Sequence, residues 1–224
     1  MKLDAGGNVA EAARDAGVHA LVHFSAIGAD PSAKSDYGRS KGEGEEAVRA
    51  AFPGATVIRP SIVFGQEDNF VNRFAALARL LPVLPVIRGE AKFQPVYVAD
   101  VGRAVSAAAL DPKARGGKTY ELGGPETMTM RTLNQRICEA TGHRRTLIDV
   151  PDALASAMAG LFGWLPGAPM TWDQWLMLQH DNIVSPGAKG LKDLGVTPTP
   201  LAAVTEGWLT SYRRHGRFAA KSPY

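Results

Sequence analysis

The sequence predicts an α/β protein with a parallel sheet and a smaller, helix-rich region towards its carboxyl-terminal end. Short apolar runs alternate with amphipathic helical segments up to Leu122, and this alternation is typical of a parallel sheet with helices on both faces. The run from His19 to Ser25 is too apolar for a strand with one wetted face, so it predicts a buried strand. After Gly123 helical spacing dominates, with one further strand.

The elements can be placed in chain order from periodicity, caps and breakers. Helices are predicted over 8–17, 36–51, about 70–78, 100–110 and from 200 onward, and strands over 19–25, 56–58, 96–98, 118–122 and 146–150. Asn8 and Glu11 resemble a capping box, and Asp100 is expected to cap its helix rather than to act as a reactive acid. Pro82 and Pro85 are expected to end the helix before them. The last helix should bury an apolar stripe of Leu201, Val204, Trp208 and Tyr212.

Composition restricts the classes of function. The chain has 224 residues, of which 45% are hydrophobic and 21% charged, as in soluble globular proteins. Its net charge of +3 is dispersed, which does not favour nucleic-acid binding. The single cysteine, Cys138, excludes an internal disulfide and is expected in the core. The five histidines lack metal-ligand spacing, and we expect no metal site, signal peptide or membrane span.

A candidate reactive group is the run Tyr37-Gly38-Arg39-Ser40-Lys41, which Ser25 precedes by twelve residues. Residues i and i+4 share a helix face, so the Lys41 ammonium is expected to lower the pKa of the Tyr37 phenol. Such a phenol can exchange a proton with a carbonyl oxygen that the Ser25 hydroxyl holds. The tyrosine–lysine spacing also arises by chance on helix surfaces, and then the three residues carry no chemistry.

A nicotinamide cofactor normally rests its pyrophosphate on a glycine-rich turn between a strand and a helix. Gly6 and Gly7 have no strand before them. Gly42, Gly44 and Ala47 match the G-x-G-x-x-A pattern, but they fall inside the predicted helix that carries Tyr37. We therefore interpret this match as a false one.

Longer runs resemble a known family. The runs "NVAEAARDAGV", "LVHFSAIGA", "YGRSKGEGE", "TVIRPSIVFG", "QPVYVADVGRAV" and "YELGGPE" are similar to the extended and atypical short-chain dehydrogenase/reductase superfamily, also called NAD-dependent epimerase/dehydratase-like. Within it, "AFPGATVIRPSIVFGQEDNFVNRFA" and "DQWLMLQHDNIV" resemble the nucleotide-binding accessory subunits of respiratory complex I and their bacterial relatives.

The resemblance implies a doubly wound, NAD(P)-binding Rossmann domain over residues 1–122 and a small helix-rich cap or docking region over 123–224. In the family an amino-terminal, glycine-rich segment precedes the first helix, so we expect a truncated Rossmann domain here, with doubtful affinity for NADP(H) or NAD(H). The implied catalytic residues are Ser25, Tyr37 and Lys41. The implied cofactor-binding residues are Tyr37, Lys41, Pro60, Ser61, Ile62 and Val63. From the sequence, Pro60 to Val63 is alternatively an ordinary strand-exit turn, and Arg59 either faces a ligand or is a paired structural ion.

Two functions remain open. One is an accessory or assembly protein of respiratory complex I, in which the nucleotide is structural and is not turned over. The other is an NAD(P)-dependent reductase, dehydrogenase or sugar-nucleotide epimerase. Residues 153–172 carry no charge; they are either cap core or a docking surface for complex I subunits or a membrane. The resemblance implies a cytoplasmic protein, peripheral on the bacterial inner membrane, or on the matrix side in a eukaryote.

Overall fold

A computed structural model describes residues 5–214 and Gly216. The elements, in chain order, are α1 (Ala5–Asp15), β1 (Val22–Phe24), α2 (Asp36–Ala51), β2 (Thr56–Pro60), β3 (Val63–Phe64), α3 (Val71–Leu80), β4 (Val83–Ile87), β5 (Lys92–Phe93), β6 (Val96–Tyr97), α4 (Val98–Leu110), α5 (Pro112–Arg115), β7 (Thr119–Leu122), β8 (Met128–Thr129), α6 (Met130–Ala140), β9 (Thr146–Val150), α7 (Asp152–Phe162), α8 (Trp172–Met177) and α9 (Leu201–Leu209). Short 3₁₀ turns cover Leu191–Leu194 and Thr210–Tyr212. The alternation of strands and helices confirms the predicted α/β class.

The chain forms two compact units and passes between them several times. The first unit contains the residues up to Ser61, Val98–Gly123 and Asn182–Pro198. The second contains Ile62–Tyr97, Gly124–Asp181 and the residues from Thr199 onward. One of the crossings follows Gly123, next to the predicted boundary between residues 122 and 123. A division of the chain at that single point stays a prediction.

The first unit is built on a parallel sheet with the strand order β1-β2-β7. Val22 pairs with Thr56, and Val57 pairs with Thr119. Both β2 and β7 have fully buried apolar side chains, as expected for strands inside a parallel sheet. α1 and α2 pack together around Ala10 and Val48, which are almost completely buried. The carboxyl ends of the strands therefore lie side by side at one edge of this sheet.

The second unit combines helices with two-stranded sheets, which pair β3 with β6, β4 with β9 and β5 with β8. One core of this unit contains Phe64 of β3, Leu133 and Ile137 of α6, and Leu201 and Leu209 of α9. The predicted stripe is confirmed, because Val204, Trp208 and Tyr212 pack against the same cluster. Cys138 lies in a neighbouring buried cluster, as predicted.

Several boundaries differ from the predictions. α1 begins at Ala5, so Asn8 lies inside the helix and does not cap it. α4 begins at Val98, so Asp100 lies within the first turn rather than at the cap. A carboxylate interacts favourably with the helix dipole both at the N-cap and in the first turn. Asp100 can therefore stabilise α4 from its observed position.

Two strands differ from what the burial pattern and the breakers in the sequence predicted. β1 is an edge strand with three residues, and Phe24 is 47% exposed, because β1 pairs only with β2 among the described residues. The segment after α3 was expected only to end that helix, yet it forms β4. Pro85 is tolerated there because β4 pairs with β9 alone in the part of the chain that the structure describes.

Candidate functional site

The amino-terminal end of α2 is fixed against the loop that follows β1. The Ser35 hydroxyl caps the helix by accepting a hydrogen bond from the Gly38 N–H at 3.0 Å. The Asp30 N–H donates to the Gly38 carbonyl at 3.1 Å. A Cβ atom at Gly42 would lie 2.3 Å from the Pro31 nitrogen, so only glycine allows this approach. These contacts place the first turns of α2 beside the carboxyl end of β1.

Tyr37 and Lys41 lie together on α2, as predicted. The Lys41 ammonium is 5.7 Å from the centroid of the Tyr37 ring, a distance at which a cation interacts with the ring face. The same ammonium lies 3.5 Å from the Phe24 carbonyl oxygen at the end of β1. Tyr37 remains 41% exposed. The pair thus lines an open surface at the sheet edge, where hydroxyl groups of a ligand can reach it.

The expected effect of Lys41 on Tyr37 was wrong. Burial raises the pKa of Tyr37, because it disfavours the charged phenolate. The ammonium lies over the ring face and does not reverse this shift. In this chain Tyr37 is therefore a neutral phenol at physiological pH, able to donate a hydrogen bond.

Ser25 occupies a different environment from Tyr37. It directly follows β1, and its N–H donates to the Ile58 carbonyl at 2.8 Å. Ser25 is only 4% exposed, and its hydroxyl is buried with no hydrogen-bond partner among the described residues, although it lies near enough to the Glu45 carboxylate to help lower the pKa of that group. The Ser25 hydroxyl is directed into the interior of the first unit. Its catalytic role stays a prediction.

An ion pair that sequence reasoning missed lies next to Ser25. Arg59 of β2 donates from Nε and Nη2 to the two carboxylate oxygens of Glu45, at 2.7 and 2.8 Å. Its Nη1 is 3.7 Å from the Glu121 carboxylate of β7. The Glu45 and Glu121 side chains are 6% and 9% exposed. Arg59 is thus a paired ion within the fold, the second of the two readings that the sequence left open.

The pKa values of this network follow from two opposing effects. Burial acts to raise the pKa of Glu45, but the hydrogen bonds from Arg59, the nearby Ser25 hydroxyl and the charges of Arg59 and Arg49 outweigh it, so the pKa is lowered. The hydrogen bond to Glu45 raises the pKa of Arg59, against the opposite effect of burial. Glu45 was recognisable, because Tyr37, Lys41 and Glu45 recur at intervals of four on one face of α2.

The predicted cofactor loop is divided between the two units. Ser61 donates its hydroxyl to the side-chain and main-chain oxygens of Asn182, at 2.6 and 2.9 Å, and its N–H to the Leu122 carbonyl at 2.9 Å. The Pro60 carbonyl accepts the Ile27 N–H at 3.1 Å. The carbonyl group of Pro60 and the hydroxyl and N–H groups of Ser61 therefore have hydrogen-bond partners within the protein. Ile62 and Val63 belong to the second unit, where β3 pairs with β6. The role of this loop in cofactor binding stays a prediction.

The remaining sequence patterns carry no site. Gly42, Gly44 and Ala47 lie inside α2, which confirms that their match to the dinucleotide pattern is false. Gly6 and Gly7 lie inside α1 and not in a turn. Within the described residues, no cluster of three or more His, Cys, Asp or Glu could hold a metal ion, and no helix is long and apolar enough to cross a membrane.

The arrangement can do part of the chemistry that the sequence predicted. Lys41 can bind neighbouring hydroxyl groups, as on a ribose, and Tyr37 can donate a proton or a hydrogen bond beside it. Ser25 is shielded from the open surface that these two residues line. The residues fit the nicotinamide-ribose end of a dinucleotide, whereas in the described residues no glycine-rich strand-to-helix turn is available for its pyrophosphate.

Comparisons with known proteins identify the family and the relatives of the chain. The model of the RmlD substrate binding domain matches residues 2–158. The mitochondrial 40 kDa subunit of NADH-ubiquinone oxidoreductase from Neurospora crassa is 31% identical, over 97% of this chain and 57% of its own length. The mitochondrial subunit 9 of the NADH dehydrogenase (ubiquinone) 1 alpha subcomplex from Mus musculus is 41% identical, over 86% of this chain and 52% of its own length. The chain thus spans about half the length of these curated relatives.

Solved structures support the fold. An Escherichia coli NADPH-dependent quinone oxidoreductase, solved in complex with NADPH, superposes with a TM-score of 0.67 at 22% identity. The match covers 88% of this chain and 68% of the other. At this identity the likeness concerns the fold alone.

Proposed function

The chain belongs to the RmlD substrate-binding-domain family of short-chain dehydrogenase/reductase-like proteins, and we propose that it binds NAD(P)(H) as a structural ligand within an accessory subunit related to those of respiratory complex I. The observation that carries this proposal is the contrast between two parts of the candidate site. Tyr37 and Lys41 face an open surface, whereas the hydroxyl of Ser25 is enclosed against Glu45.

The proposed ligand contacts rest on Tyr37 and Lys41. When bound, a nicotinamide would supply or accept a hydride. Lys41 would bind the ribose hydroxyls with its ammonium, which already lies at the carboxyl end of β1, where ligands bind in open α/β sheets. The Tyr37 phenol would donate a hydrogen bond from the adjacent helical turn. Because a pyrophosphate cradle is absent from the described residues, we expect this chain to bind the nucleotide more weakly than the low-micromolar range.

A structural nucleotide is favoured over turnover because of Ser25. Reduction of a carbonyl by this set of residues needs a second hydroxyl that holds the oxygen while Tyr37 transfers the proton. The Ser25 hydroxyl is buried beside Glu45, so a carbonyl oxygen could reach it only if the residues that enclose it moved apart. The ion pair between Glu45 and Arg59 opposes such a movement.

The proposed partners are subunits of respiratory complex I, and the proposed location is the membrane surface on the side where the peripheral part of that complex lies. This proposal is supported by the identity to two curated subunits of the mitochondrial enzyme. In membranes of the source organism, solubilised gently and separated on a native gel, the protein should migrate with NADH dehydrogenase activity. Its consistent absence from that band would contradict the proposal.

Titration of the purified chain with NADH and NADPH tests the ligand. Lys41→Met should weaken binding by about tenfold or more, because a charge-assisted hydrogen bond is lost. Lys34→Met, which removes an exposed lysine just before α2, is the matched control and should change nothing. Low-micromolar binding by the unaltered chain would contradict the expected weak affinity, and equal effects of the two variants would contradict the assigned contacts.

The second candidate function is an NAD(P)-dependent reductase, dehydrogenase or epimerase, which the exposed Tyr37–Lys41 pair favours. It is tested by oxidation of the reduced nucleotide with quinone and small carbonyl acceptors. We expect no turnover. Activity that falls by about 10²–10⁴-fold in Tyr37→Phe, the usual contribution of one general acid or base, would establish the enzyme instead.

A further inference from the structure

The uncharged segment 153–172 is partly core and partly exposed surface. Ala155, Ala159 and Met170 are buried and pack with Ile87, Val150, Trp175 and Leu178. Other apolar side chains of the segment point to solvent, with exposed fractions of 53% for Leu154, 66% for Leu161, 55% for Phe162, 78% for Trp164 and 41% for Leu165. We call residues 152–177, which comprise α7, a turn and α8, the apolar hairpin. The turn after α7 carries the most exposed side chain of this group, Trp164.

The turn of the apolar hairpin satisfies many of its polar groups by itself. The Trp164 indole N–H donates to the Leu161 carbonyl at 2.9 Å. The N–H groups of Gly163, Leu165 and Ala168 donate to carbonyls within the same segment, at 3.0, 3.0 and 3.1 Å. A lipid environment offers no partners for backbone groups. A protein interface usually adds a polar rim with hydrogen bonds between the two chains, and this turn presents no charged group for one.

Two ion pairs near the apolar hairpin lie at the opposite end of α7 from the turn, whereas Asp173, in the first turn of α8, and Arg73 lie at the end that carries the turn. Asp152, in the first turn of α7, accepts a hydrogen bond from Arg88 at 2.7 Å, and Asp149 pairs with Arg131. α7 has eleven residues, so its far end lies about 16 Å away along the helix axis. This separation exceeds the depth of about 5–10 Å to which amphipathic elements enter the headgroup–acyl boundary.

A basic side chain lies beside the turn. Arg73 of α3 donates from Nη2 to the Pro169 carbonyl at 2.6 Å. In the part of the chain that the structure describes, no carboxylate lies within ion-pair distance of its guanidinium. A positive charge without a counter-ion next to an apolar tip complements an anionic headgroup.

The turn is also preformed. A Cβ atom at Gly163 would lie 2.2 Å from the Ala159 carbonyl oxygen and 3.0 Å from the Thr171 Cα, so α7 and the start of α8 approach closely there. Thr171 and Gln174 form a reciprocal capping box that fixes the start of α8. Insertion therefore needs little additional ordering of the chain.

We propose that the tip of the apolar hairpin inserts into the interfacial layer of a phospholipid bilayer, with Leu161, Phe162, Trp164 and Leu165 at the acyl boundary and Arg73 against anionic headgroups. The occupant of this surface is thus a lipid bilayer and not a protein. This contact needs no bound nucleotide and no other subunit. The experiments can therefore contradict membrane insertion while they support nucleotide binding, or contradict nucleotide binding while they support membrane insertion.

Flotation of the purified chain with vesicles tests the proposal. The chain should float with neutral phosphatidylcholine vesicles, and more strongly when anionic phosphatidylglycerol is added. Phe162→Asp with Trp164→Asp should lower the partition coefficient about 100-fold, because two large exposed side chains no longer enter the bilayer. Leu80→Asp with Leu110→Asp is the matched control, since both leucines are more than 70% exposed outside the apolar hairpin and the change in net charge is the same.

Two further measurements make the test specific. Arg73→Gln should lower binding to the anionic vesicles about fivefold and leave binding to neutral vesicles unchanged. Lipids brominated in the upper acyl chain should quench tryptophan fluorescence in the unaltered chain and much less in Trp164→Phe, which should still bind. The absence of flotation with either vesicle type, or equal binding by the two aspartate double variants, would overturn the proposal. Either result would be expected if a protein partner covers this surface.

Discussion

Removal of the Arg59 guanidinium should destabilise the first unit strongly. In Arg59→Ala the Glu45 carboxylate loses two hydrogen bonds, of 2.7 and 2.8 Å, and Glu121 loses the positive charge 3.7 Å away. Both carboxylates would remain in positions that expose less than a tenth of their side chains. Glu121 keeps one hydrogen bond, from the Ser185 N–H at 2.8 Å.

The expected cost follows from the burial of the pair. Removing one partner of a buried ion pair costs about 3–5 kcal/mol. Arg59 is itself 27% exposed, so water can reach the vacated space, and we expect about 3 kcal/mol. For a chain of this size, that corresponds to a fall in Tm of about 6–12 °C. Such a loss is a large part of the total stability of an ordinary domain.

Thermal and denaturant unfolding, followed by circular dichroism, measures this loss. Arg14→Ala is the matched control in the same unit, because Arg14 and its partner Asp15 are both more than half exposed and such surface pairs contribute about 0–1 kcal/mol. If Arg59→Ala destabilises the chain no more than Arg14→Ala does, the anchoring role of the pair is refuted.

In Arg59→Ala, the contribution of Glu45 to stability should depend on pH in the opposite direction. In the unaltered chain the pKa of Glu45 is lowered relative to its unfolded value, so the stability from this group is present above about pH 4.5 and is lost as the pH falls through the folded pKa. In Arg59→Ala, burial without a partner should raise the pKa of Glu45. The contribution of Glu45 to stability should then fall as the pH rises, and Glu45→Gln should remove either dependence.

Two further predictions concern α2. Gly42→Ala should destabilise the chain by about 1–3 kcal/mol in thermal melts, because its Cβ would meet the backbone of Pro31 at 2.3 Å. Gly44→Ala, whose Cβ would meet only His23 at 3.9 Å, should be neutral or stabilise by up to about 1 kcal/mol, and equal effects would contradict the close packing. In a spectrophotometric titration, the difference between the unaltered chain and Tyr37→Phe should give a phenol pKa above 10, whereas a lower value would restore the expected influence of Lys41.

Features that depend on helical periodicity could be predicted from the sequence. α2 spans the predicted residues 36–51, and the stripe of α9 packs as expected. β3, β5 and β8 have two residues each, which is too short to produce a recognisable pattern, whereas the equally short β6 was predicted over 96–98. β4 was missed because Pro85 argues against a strand, and its pairing with β9 joins residues about sixty positions apart.

The site was predicted only where it depends on local geometry. Tyr37 and Lys41 meet because residues four apart share a helix face. The direction of Ser25 depends on β1 and on its approach to Glu45, which lies twenty residues later. Arg59 completes that contact from β2. Spacing alone could not show that the serine faces the interior.

The face of α2 that carries Tyr37 and Lys41 continues through Glu45, and its exposure falls along the helix. Tyr37 is 41% exposed and Glu45 is 5% exposed. The open end of this face presents the groups that can contact a ligand, and the closed end attaches the helix to the sheet through Arg59. Because the helix is rigid over these two turns, the position of the Lys41 ammonium beside the Phe24 carbonyl depends on the buried ion pair. Loss of that pair should therefore affect ligand contacts as well as stability.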